Sequence, residues 1–227
     1  MARVSSKGKC EFCQTEFSKA GMTKHLTSCP SRFKAGVTPT DKPSKLLHLV
    51  VTSKDSPLYW LHLEIRADTS LVTLDEYLRA IWVECCGHLS AFTIGDESYI
   101  SSVDPDYDTG DEDMWDVKLE NVVAVGQSFD YEYDFGSTTE LKLKVVGERE
   151  GILPLSSPIQ LLARNNAPEF ACEVCGEPAT SICSQCIWED DGSGFVCEEH
   201  EEDHECEEDM LLPVVNSPRM GVCAYCG

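Results

Sequence analysis

Apolar and polar residues change rhythm several times along this chain, and each change marks an element. "LLHLVV", starting at Leu46, is a continuous apolar run of the kind a buried strand carries. "YWLHLEIRA" alternates Leu61, Leu63 and Ile65 with His62, Glu64 and Arg66, the period of two that predicts a half-buried strand. Thr73 and Glu76 form a capping-box pair. Leu74, Tyr77, Leu78, Ile81, Trp82 and Cys85 then recur at helical spacing and predict one amphipathic helix running to about Cys86. "SAFTIGDESYIS" predicts a short hairpin, "VKLENVVAVG" a short helix, and "FDYEYDFGSTTELKLKVV" two alternating strands around a tight GSTT turn. The predicted fold class is α+β, a central antiparallel-rich sheet with one main amphipathic helix.

The rhythm is lost at both ends. "PSRFKAGVTPTDKPSK" has three prolines and no apolar periodicity, so residues 31–45 read as a linker. This divides the chain into segments 1–30, 31–45, 46–164 and 165–227. Charge follows the same division: residues 1–45 hold nine Lys and Arg against three acids, whereas Asn165 to Pro218 hold fifteen acids and no Lys or Arg. With a formal net charge of −22 over 227 residues, a polyanion can approach only residues 1–45 without strong repulsion. No run approaches the roughly 18 apolar residues of a membrane span, and "MARVSSKGKCEF" has no apolar signal region. The expectation is a cytoplasmic protein without membrane association, and a reducing setting for its thirteen cysteines.

The cysteine spacing carries the chemistry. Cys10 and Cys13 form a Cys-x-x-Cys pair, His25 follows after eleven residues and Cys29 after three more. That pattern fits a tetrahedral zinc site, two thiolates from a turn and His25 with Cys29 from one face of a helix at i and i+4. Phe17 and Met22 fall where a ββα finger places its small core. The segment resembles a Cys2His2-type zinc finger with Cys in the last ligand position and one residue fewer than usual before the His. Lys9, Lys19, Lys24, Arg32 and Lys34 are candidate phosphate contacts. A lone finger reads only about 3 base pairs, so sequence-specific recognition by this finger alone is not expected.

Towards the other end, Cys172-x-x-Cys175, Cys183-x-x-Cys186, Cys197-x-x-His200 and His204-x-Cys206 make four ligand pairs, enough for two closed zinc sites. Large apolar residues are scarce there (Ile182, Ile187, Trp188, Phe195), so metal would supply the folding free energy that a core cannot. In a cross-brace, as in RING, ZZ and B-box modules, the first and third pairs share one ion and the second and fourth the other. The rival arrangement closes a zinc ribbon from Cys172 and Cys175 with Cys223 and Cys226. It leaves His204 and Cys206 without a role, so the cross-brace is favoured. The expected cofactor is zinc, three ions in all, in small modules at both ends of the sheet domain.

"YWLHLEIRADTSLVTLDEYLRAIW", "GHLSAFTI" and "FDYEYDFG", in that order, resemble the plasmid pRiA4b third-open-reading-frame family, also labelled transposon passenger TnpR-like, over roughly residues 46–150. The resemblance implies an α+β domain found in prokaryotes and their mobile elements, with no established reaction. The chain departs from the family pattern where a second His would stand near Ser90, and where a Trp and a His would follow "YDFG" but "STTEL" stands instead.

Other motifs carry less. The DFG within "YDFG" lacks every other kinase element. Asp104, Asp106 and Asp108 imitate the start of a calcium loop, but Gly110 comes one place late and Trp115 stands where the bidentate Glu belongs. Glu84, Cys85, Cys86 and His88 could bind metal by composition, but adjacent cysteines on a helix point to different faces, so packing is the expectation. No nucleophile elbow, P-loop or dinucleotide fingerprint supports an enzyme, and no catalytic residue is assigned. The sequence therefore points to a non-catalytic zinc-binding adaptor, touching protein with its acidic end, with its basic finger a candidate contact for nucleic acid. The alternative is an enzyme or accessory factor of a mobile element, with a divalent-metal site on the carboxylates from Asp104 to Asp116.

Overall fold

The structure, a computed structural model, describes residues 6–32, 42–103, 110–188 and 194–227. They fall into two compact units, Met1–Leu78 with Leu89–Asn166, and Arg79–His88 with Ala167–Gly227. No helix among the described residues is long and apolar enough to cross a membrane.

The first unit is α+β and built on one ten-stranded mixed sheet. Its strands are β1 (Lys7–Cys10), β2 (Glu16–Ser18), β3 (Ser44–Ser53), β4 (Trp60–Arg66), β5 (Ser90–Ile94), β6 (Glu97–Ile100), β7 (Glu112–Asp113), β8 (Ser128–Tyr133), β9 (Thr139–Gly151) and β10 (Ile159–Asn165). Their spatial order is β2-β1-β10-β4-β3-β9-β8-β5-β6-β7, and all neighbours are antiparallel except β6 and β7. The helices of this unit are α1 (Lys19–Leu26), α2 (Leu71–Leu78) and α3 (Leu119–Val122). The expected β5–β6 hairpin and the β8–β9 pair are present. Asp134 turns the latter with φ 66°, its carboxylate accepting from the Gly136 N–H at 3.0 Å.

The main helix differs from expectation at both ends. It starts at Leu71 rather than behind Thr73, with the Ser70 and Thr73 hydroxyls 3.0 Å apart. Its α-helical part stops at Leu78, and Arg79–Val83 continues as a π-turn into the second unit. Leu71, Leu74 and Leu78 are buried, as the spacing requires. Asp75 is buried beside them, accepting from the Ser90 hydroxyl at 2.6 Å and the Tyr131 hydroxyl at 2.8 Å, which ties α2 to β5 and β8.

β4 is also more buried than its alternation suggests. His62 and Glu64, expected to face solvent, have 0% and 1% of their surface exposed. β4 lies mid-sheet, and the segment holding α1 covers its second face. Met22 and Leu26 of α1 share a core with Trp60, Leu162 and Ala163. β1 pairs with β10, and Gly8 makes this approach possible. A Cβ there would meet the Arg164 carbonyl oxygen and come within 2.6 Å of the Trp60 ring.

On this covered face, Glu64 is held between two cations. Arg149 makes a bidentate pair with it at 2.7 and 2.5 Å. Arg32 reaches it from beyond α1 and also donates to the Leu26 carbonyl at 2.5 Å. His48 and His62 lie beside it with ring nitrogens 2.9 Å apart, and burial brings His48 down to about 4 and His62 to about 3. Both imidazoles therefore stay neutral in the folded chain at neutral pH.

Removing one partner from a buried ion cluster leaves uncompensated charge, so Glu64→Gln should destabilise the first unit by about 3 kcal/mol. Urea unfolding would measure this. The loss should concentrate in α1 and β1 by amide hydrogen exchange, because Arg32 anchors that segment.

Candidate metal centres

The N-terminal centre is built from β1, β2 and α1. At the end of β1 the chain turns through Cys10–Cys13. The Gln14 N–H donates to the Cys10 carbonyl at 2.8 Å, and Gln14 takes φ 59°. Ser18 caps α1 by accepting from the Gly21 N–H at 3.3 Å, and His25 stands in the last turn of that helix. The Phe17 ring stacks on His25 with centroids 4.3 Å apart and fixes the imidazole's orientation. Cys29 was expected on the same helix face as His25. The helix ends at Leu26 instead, and Cys29 arrives from the following turn, where the Ser28 N–H donates to the His25 carbonyl at 3.0 Å.

The acidic half of the second unit supplies two further sets. Its sheet, in the order β12-β11-β13, consists of β11 (Ser181–Cys183), β12 (Phe195–Val196) and β13 (Leu211–Pro213). A short helix α4 (Glu198–Glu201) carries His200. Cys172 and Cys175 meet Cys197 and His200, while Cys183 and Cys186 meet His204 and Cys206. The first pair thus joins the third and the second joins the fourth, the interleaving a cross-brace requires. Among the described residues, the apolar contacts beneath them include buried Ile182, Val196 and Leu212, and Phe170 stacked on Phe195 at 4.3 Å.

The spacing within each set decides what it can do. The four ligand atoms of each lie within 4.8 Å of one another. A tetrahedron with metal–sulfur bonds of about 2.3 Å has sulfur–sulfur edges of about 3.8 Å, whereas a disulfide brings its sulfurs to about 2.05 Å. The observed edges are 3.9 Å for Cys10–Cys29, 3.7 Å for Cys175–Cys197 and 3.6 Å for Cys186–Cys206, and no disulfide joins any of the thirteen cysteines. The histidines approach through Nε2 of His25 (3.3 Å from Cys13 Sγ), Nδ1 of His200 (3.1 Å from Cys197 Sγ) and Nε2 of His204 (3.6 Å from Cys186 Sγ).

Protonation supports cation binding. In the N-terminal set, donation from Thr15 draws Cys13 down to about 6, while burial pushes Cys10 up to about 11. At Cys172 burial opposes ionisation, but the backbone N–H groups of Cys175, Cys197 and Val174 outweigh it and bring the thiol to about 6. Burial, with Cys183 and Cys206 adding to it, pushes Cys186 up to about 12. In the N-terminal set and in the second interleaved set one thiol is drawn down and another pushed up, the rise coming chiefly from burial and from hydrogen bonds between the thiols. A divalent cation would oppose that rise.

The C-terminal knuckle departs from the ribbon arrangement. Cys223 does not meet Cys172 or Cys175 but lies with Cys85, Cys86 and His88, again within 4.8 Å, while Cys226 is exposed with its thiol 3.4 Å from the Ala224 carbonyl. Packing was the expectation for Cys85 and Cys86, on the premise of a continuing helix. The helical path ends at Val83, so the rule that neighbours point to opposite faces no longer applies. The count held the missed signal, since three four-ligand sets leave Cys85, Cys86, Cys223 and Cys226 over, with His88 adjacent.

Of the candidate nucleic-acid contacts, Arg32 is withdrawn, being 7% exposed and committed to Glu64. Lys19 is half-buried and reaches the Thr52 hydroxyl at 3.3 Å, Lys9 and Lys24 are exposed, and Lys34 lies outside the described residues. Asp104, Asp106 and Asp108 of the acidic loop also lie outside them.

A family model for plasmid pRiA4b ORF-3-like protein matches residues 47–192, more than half of the chain. The chain belongs to the plasmid pRiA4b ORF-3-like protein family. The match reaches well past residue 150 and takes in Cys85, Cys86, His88, Cys172, Cys175, Cys183 and Cys186. The N-terminal centre precedes it, and Cys197, His200, His204, Cys206 and Cys223 follow it. Among solved structures, a protein of unknown function, MM3350 from Methanosarcina mazei Go1, is similar at a TM-score of 0.43 and 16% identity. The likeness covers 50% of this chain and 66% of that one, just under two thirds. No curated protein matches the chain.

Stripping the metal with a strong chelator under reducing conditions should release amide protection across residues 7–29 and 172–213, leaving β3, β4 and β9 protected. Hydrogen exchange read by mass spectrometry checks this. Loss of protection throughout would mean that the N-terminal centre, through its shared core with Trp60 and Leu162, holds the whole first unit together.

Proposed function

We propose that this pRiA4b ORF-3-like protein is a non-catalytic, zinc-organised adaptor of the cytoplasm, with one zinc ion in the N-terminal finger and two in the interleaved centres. The observation that carries the reading is the closure of the ligand sets. Each offers four protein atoms of Cys and His at tetrahedral spacing, which suits zinc and leaves no position for a water or substrate. Closed sites of this kind stabilise a fold, and a catalytic zinc keeps a position open.

The partner is a protein segment that is basic and has an apolar anchor. The acidic stretch from Asn165 to Pro218 supplies the field, and Trp188 and Val174, 70% and 67% exposed, supply the apolar contact. A groove lined by Val174, Gln185, His204, Glu205, Glu207 and Met210 lies against the second interleaved centre. Nucleic acid is at most a weak partner of the finger, because Lys9 and Lys24 are exposed while Arg32 is buried in an ion pair.

Fluorescence anisotropy tests the reading on the zinc-loaded full chain, with a labelled Lys- and Leu-rich peptide and a labelled single-stranded oligonucleotide. The peptide should bind more tightly, by about tenfold or more, and weaken as salt is raised. Trp188→Ala should lower its affinity without changing zinc content. Tighter binding of the oligonucleotide, or divalent-dependent turnover of it, would replace the adaptor by the mobile-element reading.

A further inference from the structure

Cys85, Cys86 and His88 sit on a five-residue stretch between the π-turn and Leu89, and Cys223 comes from the end of the chain, 137 residues after Cys86. All four belong to the second unit. Cys86 and Cys223 bring their sulfurs to 3.3 Å, and His88 Nε2 lies 3.7 Å from Cys223 Sγ. We propose that these residues hold a fourth zinc ion, a clasp between residues 85–88 and the C-terminal segment, and that it is the first of the four ions to exchange. The proposal rests on the zinc reading of the other three sets and goes beyond it in ion count and lability.

The ligand loop is braced before any ion arrives. Arg79 donates to the Glu84 carboxylate at 2.8 Å and to the His88 carbonyl at 2.7 Å, and the Gly87 N–H donates to Glu84 at 2.6 Å. Gly87 takes φ 75°, which lets the chain reverse between Cys86 and His88. On the opposite side, the Ser217 hydroxyl donates to the Trp82 carbonyl at 2.5 Å and accepts from the Arg219 N–H at 2.9 Å, holding the segment that delivers Cys223. Arg219 is fully buried, and its guanidinium donates to Cys85 Sγ at 3.4 Å. A cation buried against sulfur suits a thiolate and not a thiol, and N–H donors to metal-bound sulfur are the outer contacts that hold such ligands in place. Three thiolates around a zinc ion leave one negative charge for that guanidinium to meet.

Accessibility sets this centre apart. The finger buries Cys10 and Cys29, and the interleaved centres bury Cys172, Cys197 and Cys183. In the clasp, Cys86 and Cys223 are exposed and Cys85 and His88 are half-buried, so a chelator or thiol reaches the ion from solvent.

Native mass spectrometry of the full chain, purified under reducing conditions without added metal, tests the count. Four zinc ions are expected in the natural protein and in Cys226→Ser, three in Cys223→Ser and Cys86→Ser, and four again in Cys223→His. Three ions in the natural protein and in Cys223→Ser alike would overturn the clasp while leaving the other centres intact. No zinc in any of them would overturn the underlying reading as well. A native mass two hydrogens light, with two thiols missing, would show Cys86 and Cys223 as a disulfide and overturn the clasp. Stopped-flow transfer to a chromogenic chelator then tests lability. One ion should leave in a fast phase that is absent from Cys223→Ser, and a uniform release of all ions would overturn it.

Discussion

Four sulfur and nitrogen atoms held within 4.8 Å of one another could hold a cation among them, and this protein repeats that arrangement at separate points of its described residues. Burial, with the neighbouring thiols adding to it, pushes Cys186 up to about 12 in such a set. A divalent metal would offset that rise. It would also answer a shortage of apolar material, because the three short strands β11, β12 and β13 cover too few large side chains to fold on their own.

The finger uses its centre differently. Its small core is completed by Trp60, Leu162 and Ala163 of the sheet, and its strand β1 hydrogen-bonds to β10. A metal bound there would stabilise a lid over β4 in place of a freely swinging module. Beneath this lid lie groups that water would otherwise surround, namely Glu64 between Arg32 and Arg149, and the neutral pair His48 and His62. An ion cluster like this contributes little net stability but makes one geometry much better than its neighbours, since any shift of α1 strands a buried charge. This also explains why the basic residues near the N-terminus are a poor measure of phosphate binding. Arg32 is spent inside the fold, although Lys7, Lys9 and Lys24 remain exposed.

Closed ligand sets of Cys and His fit metal binding. The acidic second unit carries exposed Trp188 and Val174 near its Cys and His sets. The Cys85, Cys86, His88 and Cys223 set stands apart by its exposure.

Local patterns in the sequence determined a good deal: the alternation of β8 and β9, the buried run of β3, the apolar face of α2, and the Cys and His pairs that are close in sequence. These depend on neighbours within a few residues, and the period of a strand or the geometry of a Cys-x-x-Cys turn is set at that range. Tertiary structure decided what lies on the far side of each element. His62 and Glu64 read as solvent-facing because alternation shows two faces but not whether something covers the second. β10 and β1 entered the sheet between and beyond strands that are distant in sequence. Cys85 and Cys86 read as helix packing because the pattern cannot show where a helix turns into a π-turn and stops. Only the folded chain brings Cys223 to them, since a ligand 137 residues away has no spacing to betray it.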